Sequence, residues 1–262
     1  MSWTLKEALK KSLQVRWAGA KNEKKAVANA MRVLDILGRD TRLDDINASK
    51  VDALVEGLRR SGAGPATINR HLAALSALFS DALDRGGATT QPRIRRLREP
   101  AGRLRYLSAE EEAALIGAMQ DQEAKDLTIV LLNTGCRVGE LIGRELVVED
   151  GHLRVWENKA DRPRSIPLTA KAAAVLAVRR QFSLTYWQFR KRWDAARLAA
   201  GLGSDVVIHS CRHTFASRLV QRDVSLPVVS ALLGHGSVTI TQRYSHLANS
   251  QLAAAVASLE EA

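Results

Sequence analysis

The chain has 262 residues, 46% of them apolar and 26% charged, which is the balance of a globular protein with one large domain or two ordinary ones. Only 5% of residues are aromatic and Ala and Leu are abundant, so helices are favoured over a β-sandwich, and a net charge of +11 with a pI near 10.1 asks for a polyanionic partner, DNA or RNA by default. Two cysteines, Cys136 and Cys211, exclude a disulfide framework and fit a reducing cytosol; no apolar run approaches the ~18 residues of a membrane span, and the first residues lack a signal peptide's apolar block.

In chain order, residues 1–87 read as a small basic domain of short helices. Ala26, Ala30, Val33, Leu34 and Leu37 repeat at helical spacing until Gly38. A second helix is expected over 48–60, with Ser49 near its start and Gly62 and Gly64 after it. A third starts at Pro65 and carries Ile68, Leu72, Leu75, Leu78, Phe79 and Leu83 before Gly86-Gly87. Asn69, Arg70 and His71 lie among these apolar positions, and Asn69 and Arg70 are candidate DNA contacts. Residues 1–100 hold 19 Lys+Arg against 11 Asp+Glu, a balance of +8, while residues 101–262 hold 20 against 17, or +3. The excess charge is thus concentrated in the first part.

Residues 88–107 read as a linker, broken by Pro92 and Pro100. It carries Arg93, Arg95, Arg96, Arg98, Arg103 and Arg105. Like charges in a connector repel and extend it, and this run is expected to touch phosphates without reading sequence.

The remainder, 108–262, opens with a helix cap at Ser108 followed by Glu110 and Glu111. An apolar helix over 127–133 leads to Thr134-Gly135-Cys136-Arg137-Val138-Gly139-Glu140. Three strands are expected next. Val147-Val148 precede an Asp150-Gly151 hairpin turn, Leu153 and Val155 alternate with polar neighbours, and Arg164-Ser165-Ile166-Pro167 returns after a turn at Asn158-Lys159-Ala160-Asp161. Helices resume near Thr169.

The chemistry concentrates late in the chain: His209-Ser210-Cys211-Arg212-His213, Leu232-Leu233-Gly234-His235 and Arg243-Tyr244-Ser245-His246. Arginine forks clamp phosphate oxygens, imidazoles move protons near neutral pH, and a tyrosine can act as a covalent nucleophile. Glu140, three residues after Arg137, would orient that arginine. Each residue alone has a plainer reading: a surface ion pair, a structural histidine, a core tyrosine. A zinc site at His209/His213 is disfavoured, because no Cys-x-x-Cys pair or metalloprotease glutamate accompanies it and Arg212 would repel a metal.

In combination these motifs resemble the tyrosine recombinase, or phage integrase, family. The resemblance rests on Thr134-Gly135-x-Arg137-x-x-Glu140, His209-x-x-Arg212-His213-Thr214-Phe215-Ala216, Leu232-Leu233-Gly234-His235 and Tyr244-x-His246, with Lys159 between the two arginine motifs. It covers roughly residues 105–250. It departs at Ser210-Cys211, where the family more often has an acidic or polar residue and then leucine. The resemblance implies a mainly α fold: a small helical core-binding domain (1–87), an Arg-rich linker (88–107) and an α-rich catalytic domain (108–262) carrying a small three-stranded antiparallel sheet. It also implies a mechanism. Tyr244 attacks a DNA phosphorus to give a 3′-phosphotyrosine, Arg137 and Arg212 clamp the phosphate, and His209 is the first candidate for the base. His235 bonds the phosphate or the tyrosine, and Lys159 protonates the leaving 5′-oxygen. Neither metal, ATP nor any other cofactor is called for. The implied partner is double-stranded DNA with paired half-sites, bound by a homotetramer held through a C-terminal tail helix (Leu247, Leu252, Ala255, Val256, Leu259). Accessory DNA-bending proteins are compatible with this, a membrane is not, and the expected location is the cytoplasm or nucleoid. Competing outcomes are a type IB topoisomerase or resolvase with the same chemistry, and a DNA-binding protein without catalysis.

Overall fold

A computed structural model describes residues 2–100, 104–156 and 163–247, and the chain divides into two units between Gly102 and Arg103. The first holds α1 (Leu5–Ser12), α2 (Glu23–Leu37), α3 (Ala48–Arg60) and α4 (Pro65–Leu83). Their boundaries have local causes. Thr4 and Glu7 close a capping box on α1, and Gly38 ends α2 with φ +90°. Asn47 caps α3 through the Lys50 N–H, two residues ahead of the serine expected near that start. Leu54, Leu72, Leu75, Leu78 and Phe79 are fully buried at the centre of this unit, each contributing about 1.5–3 kcal/mol of apolar burial.

The stretch expected to be a linker is largely part of this unit. Ile94 and Leu97 pack on its core while Arg93, Arg95, Arg96 and Arg98 face solvent. Asn69 holds the segment down. Its amide donates to the Leu97 carbonyl (2.9 Å) and the Glu99 carboxylate (2.7 Å), and its oxygen accepts from the Leu97 N–H (2.8 Å). At the other end of the expected linker, Leu107 is buried in the second unit.

The second unit is α-rich around a small sheet, as the sequence leads one to expect. α5 (Ala109–Ala118) starts on the Ser108–Glu111 capping box, and α6 (Gln122–Thr134) follows. Strands β1 (Val147–Glu149), β2 (His152–Val155) and β3 (Arg164–Pro167) form an antiparallel sheet in that order. Asp150 (φ +48°) and Gly151 (φ +72°) both adopt the left-handed conformation that a two-residue hairpin demands. Leu153 lies opposite Ile166, both fully buried. Then come α7 (Ala170–Val178), α8 (Tyr186–Ala199), α9 (Ser210–Val220), α10 (Leu226–Leu233) and a 3-10 segment (Val238–Leu247). Among the described residues no helix is long and apolar enough to cross a membrane.

Candidate active site

The site grows from the C-terminus of α6. Gly135 ends that helix with φ +63°, and a Cβ there would lie 2.5 Å from Phe215 and 2.8 Å from Leu233. Conformation and space therefore both demand glycine. The chain then turns through a single 3-10 turn (Val138–Glu140) that begins at Arg137. Glu140 folds back, accepting from the Arg137 backbone N–H (2.8 Å) and from its guanidinium (3.1 Å). Glu140 is the residue expected to orient Arg137, and these are the contacts it makes with that residue.

A second arginine on Glu140 escapes the sequence reading. Arg164 of β3 reaches the same carboxylate with Nη2 (2.7 Å) and Nη1 (3.2 Å), while its Nε donates to the Leu232 carbonyl (3.1 Å). Both side chains are nearly buried, at 6% and 5% exposure. The opening for Arg164 comes from Gly234, where a Cβ would sit 2.9 Å from the arginine Cδ and Nη1. One signal was available in the sequence. Arg164 is two residues before Ile166 in a strand, so it shares the core-facing side, and a core-facing arginine must be paired. Burial pushes the Glu140 carboxyl up, but Arg164 and then Arg137 together more than offset this and hold it below the usual carboxylate range. Burial pushes the neighbouring Cys136 thiol up to about 11, so it stays protonated.

Arg212, in the first turn of α9, is 2% exposed. Its Nη1 donates to the Gly135 carbonyl and its Nη2 to the Leu233 carbonyl, each at 2.7 Å. These bonds tie α9 to the ends of α6 and α10 and aim the guanidinium, but carbonyls do not neutralise it. Burial, then the charge of Arg137, push its pKa down to about 10. Such a cation favours an incoming anion strongly, because the low-dielectric surroundings magnify the attraction.

Tyr244, from the 3-10 segment, is 1% exposed and packs with Ala216, Val220, Val229 and Leu233. Its hydroxyl lies 2.7 Å from Nδ1 of His213. His209, expected as the base, stands edge-on to His213 with ring centroids 4.8 Å apart. His235 follows the left-handed cap at Gly234, with its Nδ1 2.8 Å from the Thr241 hydroxyl. Burial and the surrounding arginines lower all three imidazoles, His213 and His235 to about 4, so they are neutral at physiological pH. Burial raises the Tyr244 phenol, against the opposing pull of Arg212 and Arg243.

The structure thus brings Arg137, Glu140, His209, Arg212, His235 and Tyr244 into one unit and adds Arg164 and His213. Lys159 and Arg103 lie outside the described residues, as does the tail beyond Leu247. Two expected DNA contacts are otherwise engaged. Asn69 is buried and clamps residues 97–99, as above. Arg105 pairs with Glu111 (2.5 Å) and Asp205 (2.8 Å) inside the second unit, because its position follows the unit boundary rather than lying in a free connector. Arg70, Arg93, Arg95, Arg96 and Arg98 are exposed. Among the described residues no cluster of three His, Cys, Asp or Glu side chains could hold a metal.

The chain is similar to known proteins in sequence and in fold. The model of the phage integrase family matches residues 105–251. The integrase of Escherichia phage P2 is 27% identical over 97% of this chain and 77% of its own length. A tyrosine recombinase XerD of Caulobacter vibrioides is 29% identical over 90% of this chain and 93% of its own. A lambda integrase tetramer bound to a Holliday junction shares the fold, with TM-score 0.77 at 23% identity over 91% of this chain and 79% of that one. The chain belongs to the phage integrase family, the tyrosine recombinases.

Proposed function

We propose that this protein is a site-specific recombinase that cleaves and rejoins double-stranded DNA through a 3′-phosphotyrosine on Tyr244. The observation that carries the reading is a buried phenol held on a neutral imidazole, in the same unit as a buried arginine whose hydrogen bonds, among the described residues, go to backbone carbonyls. Arg137 and Arg212 clamp the non-bridging oxygens as charge builds, which is usually the largest catalytic contribution. Glu140 and Arg164 hold Arg137 in place. His209 and His235 donate to the phosphate, and Lys159 supplies the proton to the leaving 5′-oxygen. Because the covalent link conserves the ester, rejoining requires no ATP.

A suicide duplex nicked beside the cleavage point tests this. A protein–DNA adduct is expected to form in the presence of a chelator, with strand joining between two different duplexes. Relaxation of supercoils without joining would favour a topoisomerase-like enzyme, and binding without an adduct would favour a DNA-binding protein.

The exposed arginines of the first unit supply phosphate contacts, and four protomers on paired half-sites form the working assembly, exchanging their C-terminal tails. The lambda integrase tetramer supports that stoichiometry. Accessory bending proteins fit the same scheme, in the nucleoid of the cytoplasm. Replacing Arg95 and Arg96 together by Ala is expected to weaken DNA binding and to flatten its salt dependence by up to about two units of slope. An unchanged slope in a filter-binding series would remove those two from the interface.

A further inference from the structure

We infer that His213 is the group that accepts the Tyr244 proton during cleavage and returns it during rejoining. The inference rests on Tyr244 being the nucleophile, and it replaces His209 in the role that motif order suggests. Its first ground is contact. Of the three imidazoles described at the site, His213 is the one bonded to the phenol, at 2.7 Å. The Nδ1 of His235 is engaged with Thr241, and His209 lies against the edge of His213.

The second ground is direction. The His213 and Tyr244 rings are 6.0 Å apart and tilted by 52°, so they meet head to tip rather than stacking. A neutral imidazole carries one proton, and a phenol O–H that donates to Nδ1 requires that proton on Nε2. We take this tautomer, in which the lone pair on Nδ1 faces the proton to be removed, rather than the one in which Nδ1–H donates to the phenol oxygen.

The third ground is placement. His213 follows Arg212 directly in α9, so the proton acceptor and the phosphate clamp move as one body. Thr214, next in line, anchors that turn by donating to the Ser210 carbonyl (2.7 Å) and accepting from the Leu107 N–H (2.9 Å). The groups bearing on His213 are His209 and Arg212 from α9, Arg243 and Tyr244 from the 3-10 segment, and His235 from the turn after α10. The positive ones disfavour an imidazolium while the site is empty. A DNA phosphodiester would bring a negative charge among these arginines and strengthen the imidazole as a base when Tyr244 must react.

The step balances. The Tyr244 oxygen–phosphorus bond forms as the bond from phosphorus to the 5′-oxygen breaks. The phenol proton passes to His213 Nδ1, giving an imidazolium, and the 5′-oxygen takes a separate proton, assigned above to Lys159. Rejoining runs the same transfers backwards.

The test is single-turnover cleavage of the suicide duplex by His213→Ala and His213→Gln, with DNA affinity and thermal melting measured on the same samples. Adduct formation near pH 7 is expected to fall by roughly 10²–10⁴-fold, the range of a lost general base. The deficit should shrink about tenfold per pH unit as rising pH ionises the phenol directly, in a range that burial pushes above the ordinary phenol value. A substrate with a 5′-bridging sulfur leaves without protonation, so it should restore Lys159→Ala but not the His213 variants. In the DNA-free protein, ¹⁵N NMR should show a hydrogen-bonded, unprotonated Nδ1 on His213 that shifts towards the free value in Tyr244→Phe.

Cleavage within about twofold of wild type would overturn the assignment. A pH-independent loss would reduce His213 to a structural part, and faster cleavage would make the contact a restraint on the tyrosine. Rescue by sulfur would move His213 to the leaving group. If wild-type protein forms no adduct, the recombinase reading fails and the proton role fails with it, while an unshifted Nδ1 signal would refute the contact alone.

Discussion

Tyr244→Phe is expected to abolish the covalent adduct completely while leaving the protein folded and able to bind DNA. The substitution removes one oxygen and keeps the ring. The ring fills the apolar pocket of Ala216, Val220, Val229 and Leu233, so no cavity opens. What is lost locally is one hydrogen bond to His213, about 0.5–1.5 kcal/mol of net stability. His213 is left neutral and only partly buried, so its freed lone pair can be hydrated. The catalytic loss has no comparable compensation, because no other side chain is offered as the nucleophile. Gel analysis of the nicked duplex and a thermal melt, run side by side, separate the two effects. An adduct that persists in Tyr244→Phe would disprove Tyr244 as the nucleophile. A melt lowered by much more than one hydrogen bond would mean that the hydroxyl matters to the fold.

Glu140→Ala is expected to produce the largest loss of stability from a single change at the site. The carboxylate is the shared acceptor of Arg137 and Arg164, and Arg164 is nearly buried. Removing it strands a guanidinium in a low-dielectric interior, at a cost of about 3–5 kcal/mol. A urea melt of the second unit's transition measures this. The double variant Glu140→Leu with Arg164→Met separates charge from packing. With both charges gone, stability should recover by several kcal/mol, since well-packed apolar pairs often replace buried ion pairs without loss. Cleavage should not recover, because Arg137 remains without the group that orients it. If the double variant cleaves DNA normally, the pair serves stability only.

The same carboxylate makes stability depend on pH. Its folded pKa lies below the ordinary value of 4.5, so the unfolded chain binds the proton more readily. The contribution of Glu140 is therefore complete above about pH 4.5 and is lost as pH falls through the lower, folded value. Urea melts at stepped pH should show wild type losing stability over that range and Glu140→Gln losing less. Equal slopes would remove Glu140 as a source of acid sensitivity.

Much of this could be read from the chain alone, where the cause is local. Helix α3 occupies residues 48–60 as the start and stop residues around it imply, and Gly38, Ser108, Thr169 and Gly234 stand at helix ends for reasons of backbone conformation or capping. Asp150-Gly151 predicted its hairpin because few other pairs tolerate two positive φ values. The order of Arg137, Arg212, His235 and Tyr244 was legible in the same way, since motif spacing is a local property of the chain.

Contacts between distant segments were not legible. Asn69 reads as a polar residue on a helix, yet its amide matches the backbone of a segment 28 residues on. Arg105 reads as one of six linker arginines, yet Asp205, 100 residues away, shares its charge with Glu111.

The amino-acid sequence by itself determined many of the elements and the side chains available for phosphate chemistry, because those follow from periodicity, turn geometry and spacing, and the family was legible in the resemblance of its motifs. Only the tertiary structure decided which partner each side chain has. Glu140 serves two arginines, Arg212 is buried against carbonyls, and it is His213 that meets the Tyr244 hydroxyl. The physical reason is that a hydrogen bond depends on distances of a few tenths of an ångström between remote segments, and the packing of α6, α9, α10 and β3 sets those distances.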